Sequence, residues 1–140
     1  MSEFLLDSRL EQDCHRMLET PNSLILLLDN ALYHWWVLVP KTTYIELYEL
    51  DVIMQQRILA ETMLLSRFVK EKQGADKLNI GAIGNIVQQL HIHIIGRNKG
   101  DAVWPDVVWG AEPREGYSKE HVDKLREQIT QVFTYNSAQE

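Results

Sequence analysis

Gln89-Leu90-His91-Ile92-His93-Ile94-Ile95-Gly96-Arg97 decides how this chain is read. From 89 to 94 it alternates strictly, with Gln, His and His at the odd positions and Leu, Ile and Ile at the even ones. Successive side chains of a strand point to opposite faces. A strand here therefore buries three aliphatics on one side and sets an amide and two imidazoles in a row on the other. Side chains two apart stand roughly 6.6–6.8 Å from each other, so neighbours can surround one phosphate-sized group. Gly96 ends the run and Arg97 adds a positive charge.

Upstream, Leu24 to Leu28 is an unbroken aliphatic run and Tyr33 to Val39 a second apolar segment stopped by Pro40, with a turn signal at Asp29-Asn30 between them. They read as two paired strands. Residues 8 to 19 read as a short amphipathic helix: Ser8 and Glu11 fit a capping box, and Leu10, Cys14, Met17 and Leu18 fall at helical spacing. Thr42 to Gln73 holds the longest helix, with a stripe of Leu47, Leu50, Met54, Ile58, Leu65 and Val69 that Glu61 interrupts and Gln73-Gly74 ends. Lys77 to Ile83 is a further strand, the motif strand spans about 87 to 95, and residues 97 to 116 are irregular. Ser118 caps a last helix with Val122, Leu125, Ile129, Val132 and Phe133 on one face. The sum is an α+β fold: a mainly antiparallel sheet packed by a long helix and a C-terminal helix.

At 140 residues the chain reads as one domain, 1–133, followed by a frayed tail, 134–140. A net charge of −6 argues against a nucleic-acid binder that works by bulk electrostatics, yet local donors can still hold a single phosphate. Cys14 is the single cysteine, so no internal disulfide forms and a cytoplasmic setting is expected. Met1-Ser2-Glu3-Phe4 shows no signal-peptide pattern. No apolar run approaches the roughly 20 residues that span a bilayer, so no membrane partner is expected. Cys14 and His15 read as a buried structural thiol and a surface histidine rather than a metal pair. Trp35 and Trp36 read as sheet-face aromatics.

The run 89–95 resembles the motif of the histidine triad (HIT) proteins, His-aliphatic-His-aliphatic-His followed by two aliphatics, with Gln89 standing in the first slot, His91 in the second and His93 in the third. Leu78-Asn79-Ile80, Gly84-Asn85, Val37-Leu38-Val39-Pro40-Lys41 and Trp104-Pro105 resemble its flanking elements. The resemblance covers about residues 24 to 110 and implies about five strands, a homodimer, and hydrolysis at the α-phosphorus of a purine mononucleotide or dinucleotide derivative without metal or other cofactor. It implies His91 as the nucleophile, with His93, Gln89 and Asn85 in support. Asp29, Asn30 and Asn79 are its nucleotide-binding candidates. For Asp29 and Asn30, plain turn formation stands beside the ribose-holding role as an equal alternative.

The chemistry agrees with the residue types. A neutral imidazole can attack phosphorus without first losing a proton, and a covalent intermediate splits one hard displacement into two. The ring needs its other nitrogen held by a hydrogen bond, which a backbone carbonyl can supply. His93, as a donor, can stabilise charge developing on phosphate oxygens. Two other readings share the motif: a nucleotide sensor without turnover, and a His-x-His metal module that draws further ligands from His34, Cys14, His15 or an acid.

Overall fold

The computed structural model describes residues 4–139. Five strands form one sheet: β1 (Cys14–Glu19), β2 (Ser23–Leu28), β3 (His34–Pro40), β4 (Lys77–Gly81) and β5 (Ile92–Arg97). Their spatial order is β1-β2-β3-β5-β4, and every neighbouring pair is antiparallel. Three helices join them: α1 (Ser8–Asp13), α2 (Val52–Arg67) and α3 (Lys119–Gln139). This is the α+β fold expected from the sequence. No helix among the described residues is long and apolar enough to cross a membrane.

The sheet is buried on both faces. On one, Ile25, Trp36, Leu38, Ile92 and Ile94 pack with Ile58 and Leu65 of α2 and with Val122, Leu125 and Ile129 of α3. On the other, Leu24, Leu26, Trp35, Val37, Val39 and Ile95 pack with Leu10 and Val108. Two-sided burial is why β2 and β3 read as continuous apolar runs rather than alternating ones. The break at Glu61 is explained by Ser23, whose hydroxyl donates to the carboxylate across 2.5 Å.

Several boundaries differ from expectation, each for a physical reason. The segment read as a helix over 8–19 is helical only to Asp13, with Asp7 rather than Ser8 as its cap; residues 14–19 are β1. A register shift lies between Arg16 and Leu18. Such a bulge inserts one extra residue, so Met17 and Leu18 both reach the helix-covered core, and the apolar spacing imitates a helix. α2 starts at Val52 because Asp51 caps it, accepting from the Met54 N–H at 2.7 Å; residues 42–51 hold only a short 3-10 turn at Leu47–Glu49. The helix then widens into a π-turn over Phe68–Lys72, and Gly74 turns the chain with φ of 75°. β4 stops at Gly81 and β5 begins only at Ile92. α3 runs through Gln139, so 134–139 is helical rather than a frayed tail.

Gly96 allows the close approach that places β5. A Cβ there would lie 2.5 Å from Val69 Cγ1 and 2.9 Å from the Ala75 Cβ, so no side chain fits between β5 and the end of the α2 segment.

Candidate active site

β5 delivers the motif histidines to the sheet face opposite α2 and α3. Ile92 pairs with Leu38 and His93 with Val37 on one side, and His93 with Gly81 on the other. Ile92 and Ile94 point into the helix-covered core, so the alternation turns His91 and His93 the other way, as the sequence pattern requires. Both are buried, and their ring centroids stand 4.9 Å apart. His91 immediately precedes the ladder. Its Nδ1 lies 2.6 Å from the backbone carbonyl of Gln89. A carbonyl oxygen only accepts, so Nδ1 carries the proton and Nε2 of the neutral ring keeps a lone pair.

His93 sits in a ring of aromatics. The Trp35 indole N–H donates to its Nδ1 at 2.9 Å, inside the protein. Trp35 and Trp109 meet it edge-on at centroid distances of 5.8 and 5.6 Å. Burial first, and then the neighbouring His91, lower its pKa from 6.5 to about 4. The Trp109 Nε1 is buried with no hydrogen-bond partner among the described residues, an N–H with its bonding capacity unspent.

Gln89 leaves the row in which the pattern puts it. It precedes β5, and its side chain turns to the N-terminal segment, accepting from the Asp7 N–H at 2.8 Å and donating to the Leu5 carbonyl at 2.9 Å. The amide is a strap fastener, while its backbone carbonyl sets the His91 tautomer. Arg9 adds a second tie, donating to the Ile86 carbonyl at 3.0 Å. Its guanidinium beside Asp7 also holds that carboxyl below the usual range.

The remaining candidates divide. Asn85 stands exposed on the turn between β4 and β5. The Asn79 side-chain oxygen accepts from Arg97 at 3.1 Å. Arg97, almost wholly buried, also makes two hydrogen bonds to Asp101, at 2.7 and 3.0 Å, and lies over the Tyr33 and Trp104 rings. Its charge therefore anchors the 98–109 loop and does not reach outward. Asp29 accepts from the Tyr117 N–H and bonds to His15, both at 2.9 Å; the Tyr117 N–H first, then His15, hold its carboxyl below the usual range. Asn30 accepts from the Leu32 and Glu115 N–H groups. These two turn residues fasten the approach to α3, and no hydrogen bond among the described residues joins them to His91 or His93. Cys14 is half-buried, its thiol pushed up to about 12 by burial. No set of three or more His, Cys, Asp or Glu side chains suited to a metal ion occurs among the described residues.

Trp35 is the site residue that sequence reasoning passed over. Parity was the available signal for Trp35: it pairs with Ile95, and Ile95 shares a face with His91 and His93. Trp109 reaches His93 from the irregular loop that follows β5.

The HIT domain profile matches residues 9–100. A histidine triad protein from Marinobacter aquaeolei is 38% identical, with a TM-score of 0.88 over 94% of this chain and 96% of that one. One from Bradyrhizobium japonicum is 37% identical, with a TM-score of 0.88 over 92% and 97%. Adenylylsulfatase HINT3 of Arabidopsis thaliana is 28% identical over 100 residues, 67% of this chain but 51% of that protein; the chain thus spans about half the length of this curated relative. Profile, solved relatives and the paired histidines agree, and the chain belongs to the histidine triad family.

Proposed function

We propose that this protein hydrolyses nucleoside 5′-phosphate derivatives at the α-phosphorus through a covalent nucleotidyl-histidine on His91. The observation that carries the reading is the 2.6 Å bond from His91 Nδ1 to the Gln89 carbonyl, which leaves Nε2 as a lone-pair nucleophile beside a second imidazole. Nε2 bonds to the α-phosphorus as the bond from phosphorus to the leaving group breaks, the electron pair departing with that group, and an amine leaving group takes up a proton from solvent as it goes. Water then adds its oxygen to phosphorus, the P–N bond breaks, the pair returns to Nε2, and a nucleoside monophosphate leaves as the proton passes to solvent. His93 and the unspent N–H of Trp109 suit the anionic oxygens that gain charge in both steps.

The leaving groups this chemistry admits are a nucleoside polyphosphate, as in diadenosine tetraphosphate, an amine, as in adenosine 5′-phosphoramidate, and sulfate. Sulfate joins the set because of the name of the Arabidopsis relative. No metal or cofactor is needed by these steps. Because the Gln89 amide is tied to the strap, support of the leaving group falls to His93 and solvent, with Asn85 on the neighbouring turn as a further amide. A purine nucleotide is the ligand this reading favours, in the cytoplasm.

Turnover of the three adenosine compounds, with excess chelator, tests the reading. Wild type is expected to release AMP, and His91→Ala to release none while melting as wild type does. Equal rates in the two proteins would end the mechanism. AMP binding without release from any compound would favour the sensor reading, and activity lost only on adding chelator would favour the metal module.

Pairing with a second copy belongs to the same reading. α2 exposes Val52, Ile53, Leu59 and Met63, and the edge strand β4 exposes Ile80, surfaces of the kind that a partner covers. Light scattering is expected to give twice the chain mass; a monomer at micromolar concentration would refute the pairing.

A further inference from the structure

We propose that Trp35 is a positioning residue that fixes His93 as a neutral ring with its proton on Nε2, making that nitrogen a permanent donor to the phosphoryl oxygens. The proposal rests on the hydrolase reading for its functional half and on geometry for the rest. An indole N–H only donates. At 2.9 Å from the Trp35 Nε1, the His93 Nδ1 must therefore accept and carries no proton. A neutral imidazole keeps one proton, which then lies on Nε2.

The sheet holds this pair in register. Trp35 pairs with Ile95 and Val37 with His93, so the indole reaches its histidine along the diagonal between antiparallel strands. Trp35 is 7% and His93 9% exposed, and Trp109 packs edge-on against both rings. Placing a second proton on His93 would set two N–H groups against each other in a space that water barely reaches. The titratable group packed against His93 is His91, at 4.9 Å; neither indole titrates.

His91 is set the opposite way. Its partner is a carbonyl, which only accepts. One ring thus shows a lone pair and the other an N–H, and neither partner can exchange donor for acceptor as pH changes. A histidine, an amide or an acid at position 35 could accept as well as donate, or titrate, and would lose that constancy.

Long-range proton–nitrogen NMR correlations on the full-length, nitrogen-15-labelled protein read the tautomer directly. Wild type is expected to show His93 with a bare Nδ1 and a protonated Nε2 throughout pH 5.5 to 8. Trp35→Phe keeps the apolar ring and loses the donor. It is expected to mix the two tautomers and lower kcat about tenfold while KM moves by less than about twofold. A wild-type His93 that carries its proton on Nδ1, or that titrates like an ordinary histidine, would overturn the proposal, and this measurement needs no variant to fold. So would a folded Trp35→Phe with the wild-type tautomer and kcat. A tautomer that Trp35→Phe releases, with no substrate turned over by either protein, would uphold the role of Trp35 in fixing the ring and refute the hydrolase reading separately.

Discussion

Gln89 shows how much one residue's role depends on which of its atoms is used. In the motif it stands in line with two histidines, and alternation predicts a shared face. The last ladder partners on this side are Leu38 and Ile92, so position 89 is free of the strand and its amide bonds to Leu5 and Asp7 instead. Gln89→Ala is expected to keep the tautomer-setting carbonyl, lower turnover without abolishing it, and cost about 1–2 kcal/mol in urea unfolding through two lost hydrogen bonds. Turnover as low as that of His91→Ala would show that the side chain takes part in the chemistry. The placement of His91 and His93 was legible because alternation, a property of every strand, acts on them directly. The side-chain partners of Gln89, Asn79 and Asp29 were not, because Leu5, Arg97 and Tyr117 lie 84, 18 and 88 positions away.

Elements were legible where one periodicity acted alone. β2, β3 and the buried faces of α2 and α3 follow their apolar patterns. β1 does not, because the bulge between Arg16 and Leu18 shifts its parity and makes a strand count like a helix. The packing of β5 against the π-turn at the end of α2 turns on the missing side chain of Gly96. Gly96→Ala would push a methyl into Val69 and Ala75. We expect it to destabilise the fold by about 1–3 kcal/mol, as overpacking does, and to disturb turnover because the same strand carries His93. Unfolding midpoints and AMP release together check this; a variant as stable and active as wild type would mean that the α2 end yields easily.

For the molecule as a whole, stability should follow the buried imidazoles. Burial and then His91 lower the His93 pKa from 6.5 to about 4, and burial, then His121, lower that of His34. The unfolded chain takes up these protons below about pH 6.5 while the folded one refuses them, so stability is full above that pH and falls as pH drops toward 4. His93 alone accounts for roughly 3 kcal/mol of that fall. The carboxylates of Asp29 and Asp101, held low in the fold, lose their contributions only at lower pH, near and below the ordinary carboxylate range. Urea unfolding from pH 7.5 to 4.5 should slope downward in wild type and flatten in His93→Asn; parallel curves would refute the assignment. The indoles of Trp35 and Trp109, packed on His93, also give the protein an optical readout of its own site. Two of its four tryptophans are therefore expected to report on the charge and occupancy of that imidazole, as dimming on acidification or a spectral shift on adding nucleotide, without a label.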